Sequence, residues 1–125
     1  MAPRPDIKTV LRALAPYPAV FVPTEYGGFE AVFPNFAQGR AHGLNLDLAA
    51  QAAREELTAL LTLAFLGGTP PPPPSDPDRL APDDEEIPGT RILMIEPERD
   101  LVLKRLGLAR KKRLKTAPSG EKYKP

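Results

Sequence analysis

A chain of 125 residues has room for one modest hydrophobic core. It contains no cysteine, which excludes a disulfide framework and any thiolate metal site. No apolar run reaches the ~18 residues that a membrane span needs, and no secretory signal opens the chain, so a soluble cytoplasmic protein is expected.

The net charge of +1 conceals a division. Residues 1–98 hold seven Lys/Arg against fourteen Asp/Glu, and residues 99–125 hold ten Lys/Arg against two acids. An acidic body joined to a basic tail suggests partners of opposite sign for the two parts.

In chain order, Asp6 is placed to cap a short helix in which Ile7, Val10, Leu11 and Leu14 follow helical spacing. Pro16 and Pro18 stop it. Tyr17 to Pro23 reads as a first strand, bounded by prolines as an edge strand would be. A turn at Thr24–Gly28 leads to a second strand, Phe29–Phe33, where Phe29, Ala31 and Phe33 alternate with Glu30 and Val32. A weaker third strand is expected over Ala37–Gly43.

The clearest element is a helix over Leu46–Leu66, with Asn45 as N-cap, Asp47 near the positive end of the dipole and Gly67-Gly68 at its end. At 100° per residue, Asp47, Gln51, Arg54, Glu55, Thr58 and Thr62 fall on one polar stripe. Ala50, Ala53, Leu57, Leu60, Leu61 and Ala64 lie opposite. Leu48, Ala52, Ala59, Leu63 and Leu66 form a further apolar flank. A helix that covers one sheet needs a single apolar face, so the flank suggests a second contact, either the C-terminal segment or another subunit. A homo-oligomer, a dimer or higher, is expected on that ground.

Thr69–Gly89, with five consecutive prolines at 70–74, reads as an extended linker carrying the acids Asp83, Asp84, Glu85 and Glu86. Arg91–Glu98 reads as a fourth strand returning to the sheet, and Asp100–Leu108 as a short helix ending near Gly107. The remainder is basic. The expected fold is therefore α+β: a small antiparallel sheet, three strands plus a fourth after the linker, covered by one long helix, with short helices at both termini. The expected organisation is an N-terminal helical extension (1–16), an α+β domain (17–98) that includes the Pro-rich acidic loop (69–89), and a short helix with a basic tail (99–125).

Catalytic chemistry finds little purchase. His42 is the only histidine and lies in a Gly-rich stretch, so a His-based metal site or nucleophile–base pair has one candidate member. Neither a phosphate-binding loop, a dinucleotide fingerprint nor a nucleophile elbow occurs. No enzyme activity, catalytic residue, metal or cofactor is expected.

The order of these segments carries a resemblance. Tyr17-Pro18 on the first strand, Gly28-Phe29 at the second and Phe33-Pro34-Asn35-Phe36 at its end are followed by Gly43, Asn45-Leu46 at the cap, Ala49, Ala53 and Glu56-Leu57. Gly68-Thr69-Pro70 and Pro74-Ser75 close the set. This resembles the HicB antitoxins of bacterial type II toxin–antitoxin pairs over about residues 17–75. The resemblance implies a partial RNase H-like fold without nuclease activity. It also implies neutralisation of a HicA toxin, a small basic mRNA-cleaving protein of double-stranded-RNA-binding-domain fold. An acidic body suits such a partner, since opposite charge speeds encounter. Ala37-Gln38 stand where the family usually has Pro-Gly, so the third strand is expected to begin differently.

Many HicB proteins also carry a helix-turn-helix or ribbon-helix-helix domain that binds the operon's operator. Here LVLKRLGLARKKRL resembles only the core of a helix-turn-helix. Charge and exposure select Glu25, Tyr26 and Glu30 near the hairpin, with Asp83–Glu86, as candidate toxin contacts. Lys104, Arg105, Arg110, Lys111, Lys112, Arg113 and Lys115 are the candidate nucleic-acid contacts, whether as autoregulation beside toxin binding or as the chain's main role. An orphan HicB-like domain without a toxin is the remaining alternative.

Overall fold

The computed structural model describes residues 5–80 and 87–108. Its elements are α1 (Ile7–Ala13), β1 (Tyr17–Pro23), β2 (Phe29–Val32), β3 (Arg40–Gly43), α2 (Leu46–Leu66), a 3-10 turn at Pro77–Leu80, β4 (Arg91–Ile95) and α3 (Arg99–Arg105). The four strands form one antiparallel sheet in the order β3-β2-β1-β4, with α2 as its one long helix, which is the α+β arrangement expected.

β1 is a central strand and not the edge that its prolines suggested: β2 pairs with it over Val20–Pro23 and β4 over Tyr17–Phe21. The staggered register accommodates the prolines. Pro18 lies beyond the β2 ladder and Pro23 beyond the β4 ladder, so neither missing N–H removes a rung on that side.

The third strand is shorter than expected. Residues 34–39 are instead taken up by tight turns, with Phe36 N donating to Phe33 O, Gly39 N to Phe36 O and Phe33 N to Gly39 O. Pro34 cannot continue a ladder, and the strand resumes only at Arg40.

Tyr17, Ala19 and Phe21 of β1, Ala31 of β2 and Phe33 just beyond it form the sheet side of the core. Ala49, Ala53, Leu57, Leu61 and Phe65 of α2 pack onto them, and Val10, Leu14, Ile95, Val102, Leu103 and Leu106 close the ends. The helix comes close because Gly43 has no side chain: a Cβ there would stand 2.2 Å from the Ala49 nitrogen.

The phase of α2 needs one correction. Thr58 and Thr62 belong to the buried face and not to the polar stripe; Thr58 is 1% exposed. Each hydroxyl donates to the carbonyl four residues earlier, Thr58 to Arg54 O at 2.8 Å and Thr62 to Thr58 O at 2.7 Å. A threonine so bonded presents its methyl group to a core and buries no unmet donor. The Thr58 hydroxyl oxygen also accepts from Glu98 N at 2.9 Å, which fastens the start of α3 to the middle of α2.

The Pro-rich linker is tied down at its first half. Tyr17 OH donates to Pro72 O, and Asn35 Nδ2 donates to Pro73 O at 3.0 Å. Residues 81–86 lie outside the described part of the chain.

Candidate partner-binding surface

Two close approaches gather the exposed side chains at one end of the molecule. The β1–β2 turn closes with Thr24 N donating to Gly28 O and Gly27 N to Thr24 O, both at 3.1 Å. Gly28 has φ +82°, and a Cβ on it would lie 2.4 Å from Gly43 O. Only glycine meets both conditions. The hairpin tip therefore rests against the connection from β3 into α2. Asn45 opens that helix, its Oδ1 accepting from Leu48 N at 2.8 Å.

The tip presents Glu25 and Tyr26 to solvent, Tyr26 at 92% exposure. Beside it stand Leu44, 77% exposed, and Leu48 on the first turn of α2. Sequence reasoning passed over Leu44. Its only signal is a large apolar residue between a strand and a helix cap, where a polar one is usual. Glu30 is placed differently from Glu25. It lies on β2 opposite His42, and its carboxylate accepts from Arg40 Nη1 at 3.0 Å, so its charge is already partnered.

The flank of α2 singled out by its periodicity stays open in this chain. Leu63 is 64% and Leu66 58% exposed, and both continue the line begun by Leu48. α3 packs against α2 on the Thr58 side and leaves the flank uncovered.

Of the candidate nucleic-acid contacts, Lys104 and Arg105 are exposed on the last turn of α3. Arg110, Lys111, Lys112, Arg113 and Lys115 lie outside the described residues, as do the candidate toxin contacts Asp83, Asp84, Glu85 and Glu86.

A shallow groove between α2 and α3 is lined by Arg54, Arg99 and Lys104 and by Glu96, Glu98 and Asp100. Three cations facing three carboxylates select no ligand of either sign. His42 is exposed on β3, and no group of three or more His, Asp or Glu able to hold a metal occurs among the described residues. Tyr17 is the one described group with a shifted pKa; burial pushes its phenol upward, and its hydroxyl is engaged by Pro72 O. None of the described helices is long and apolar enough to cross a membrane.

An open four-stranded sheet covered on one face by a long helix defines a small α+β domain. No protein-family model and no curated protein matches the sequence. Solved structures do match. A chain of a HicA3 and HicB3 toxin-antitoxin complex is 26% identical, with a TM-score of 0.54 over 66% of this chain and 98% of its own. The antitoxin HicB3 is 23% identical, with a TM-score of 0.56 over 88% of both chains. A toxin-antitoxin complex from Streptococcus pneumoniae contributes a chain 19% identical, with a TM-score of 0.57 over 86% of this chain and 98% of its own. The chain has a HicB-like antitoxin fold.

Proposed function

We propose that this chain is an antitoxin-type binding protein that neutralises a small basic HicA-type toxin, an mRNA-cleaving protein, by direct contact. The observation that carries the reading is the fold shared with a chain of the HicA3 and HicB3 toxin-antitoxin complex at 26% identity. In this reading the chain performs no covalent chemistry. It occupies a surface that the toxin needs for RNA, and affinity rests on desolvated apolar anchors with acids steering the encounter.

Glu25 and Tyr26 at the hairpin tip, with Glu30 on the sheet and Asp83–Glu86 of the linker, are the proposed toxin contacts. Glu30 contributes least to attraction because Arg40 already holds it. The cations of α3 and the tail, Lys104 and Arg105 with Arg110 to Lys115, would add phosphate contacts to the operon's own DNA and make autoregulation part of the same role.

Co-expression tests the reading. The small open reading frame beside this gene is induced alone and then together with this chain. Growth arrest relieved by the chain, with a complex that co-purifies, is the expected outcome. Arrest that the chain leaves unrelieved refutes it.

A further inference from the structure

We infer that the outward face of α2 seats the toxin, through an apolar ridge on the toxin flanked by Lys and Arg; the inference rests on the antitoxin reading above. The face runs from Leu44 and Leu48 through Ala52 and Ala59 to Leu63 and Leu66. The helical members recur at intervals of four, seven, four and three residues, which places them in one row down the helix. A helix that covers a sheet normally turns polar side chains to solvent along this row. Here three leucines of the row, Leu48, Leu63 and Leu66, are exposed, and the two alanines between them leave a shallow saddle into which another backbone can approach closely. The row meets Leu44 and the Tyr26 tip at its N-terminal end, so the two exposed apolar regions form one surface.

The charges on this face decide its occupant. Glu55 and Glu56 flank the midpoint of the row, and Glu25 is exposed on the hairpin turn that meets its N-terminal end. Arg54, the one cation of α2, points away, into the surface shared with Glu96 and Met94 of the β4 side.

A second copy of this chain fits poorly. An antiparallel two-fold pair that sets Leu48 on Leu63 and Ala52 on Ala59 places its axis between residues 55 and 56. Four carboxylates then converge, and a parallel pair also sets Glu55 on Glu55. The chain's own basic run, Arg110 to Lys115, offers Leu114 as its single apolar side chain, too little to fill the row. A basic partner with an apolar ridge satisfies both features of the face.

The test measures binding of the full-length chain to the purified product of the adjacent toxin gene, with Ala59→Arg and Leu63→Arg as face variants and Arg54→Asp as control. All three positions are at least partly exposed, so thermal melting confirms the fold of each variant. The expected result is a loss of affinity of roughly 30-fold or more for the face variants, with the control unchanged. Glu55→Lys should slow association and weaken its dependence on salt.

Binding that survives both face variants but fails in Tyr26→Ala overturns the inference, leaves the antitoxin reading standing and moves the contact to the hairpin. A wild-type chain that binds nothing overturns both. A wild-type dimer that Leu63→Arg splits overturns the inference in favour of a second copy.

Discussion

Asn35 and Ser75 hold each other across forty residues of sequence, Asn35 Nδ2 donating to Ser75 Oγ at 2.9 Å and Ser75 N donating to Asn35 Oδ1 at 3.1 Å. The same amide reaches Pro73 O, and Tyr17 takes Pro72 O from the other side. Phe36 packs on Tyr17 with ring centroids 5.2 Å apart and meets Phe33 edge-on at 6.4 Å. The Phe-Pro-Asn-Phe corner thus ends a strand and clasps the proline run. Asn35→Ala removes the clasp, and a loss of about 1–2 kcal/mol of stability is expected by chemical denaturation. Asn35→Asp keeps the acceptor for Ser75 N but loses both donated bonds, and should fall between the two.

Thr58 gives a second test. Thr58→Val keeps the shape and leaves Glu98 N without its acceptor in a part-buried setting. A cost of about 1–3 kcal/mol is expected, while Thr58→Ser, which retains the oxygen, should cost less. If valine is as stable as threonine, the hydrogen bond does not secure α3.

The phase of α2 is tested by a pair of substitutions. Leu57 is fully buried between helix and sheet, so Leu57→Asp places an unpaired charge in the core and should cost more than about 4 kcal/mol. Arg54→Asp, on the exposed side, should stay within about 0.5 kcal/mol. Equal melting of the two variants would contradict the burial described.

Alkaline stability follows from Tyr17. Burial raises its phenol above the ordinary value of about 10, so the native state holds its proton more tightly than the unfolded chain. The associated stability is complete below the unfolded value and is lost as pH rises from there through the folded value. A stability-against-pH series should therefore fall above pH ~10 more steeply in the wild type than in Tyr17→Phe.

Much of the fold was legible in local signals. Asp6 and Asn45 do cap their helices, accepting from Lys8 N and Thr9 N and from Leu48 N respectively. The strand at 91–95 does return to the sheet. Three features escaped for physical reasons. The prolines of β1 suggested an edge because a composition rule cannot see that staggered ladders leave each proline outside one of them. Thr58 and Thr62 counted as polar because a helical wheel ignores the hydroxyl's bond to its own backbone. Glu30 looked like a free acid because its Arg40 partner is on the neighbouring strand. At the candidate surface, Glu25 and Tyr26 were readable from the turn. Leu44 was not, since its exposure depends on how Gly28 and Gly43 approach.

The most direct measurement is a titration of the partner toxin's RNA cleavage with purified chain. Cleavage by the product of the adjacent gene is followed at fixed toxin concentration as this protein is added. The expected result is a linear fall in cleavage that ends at a fixed stoichiometric ratio, with a complex isolated at that ratio. Undiminished cleavage at a large excess of folded chain would contradict the antitoxin reading.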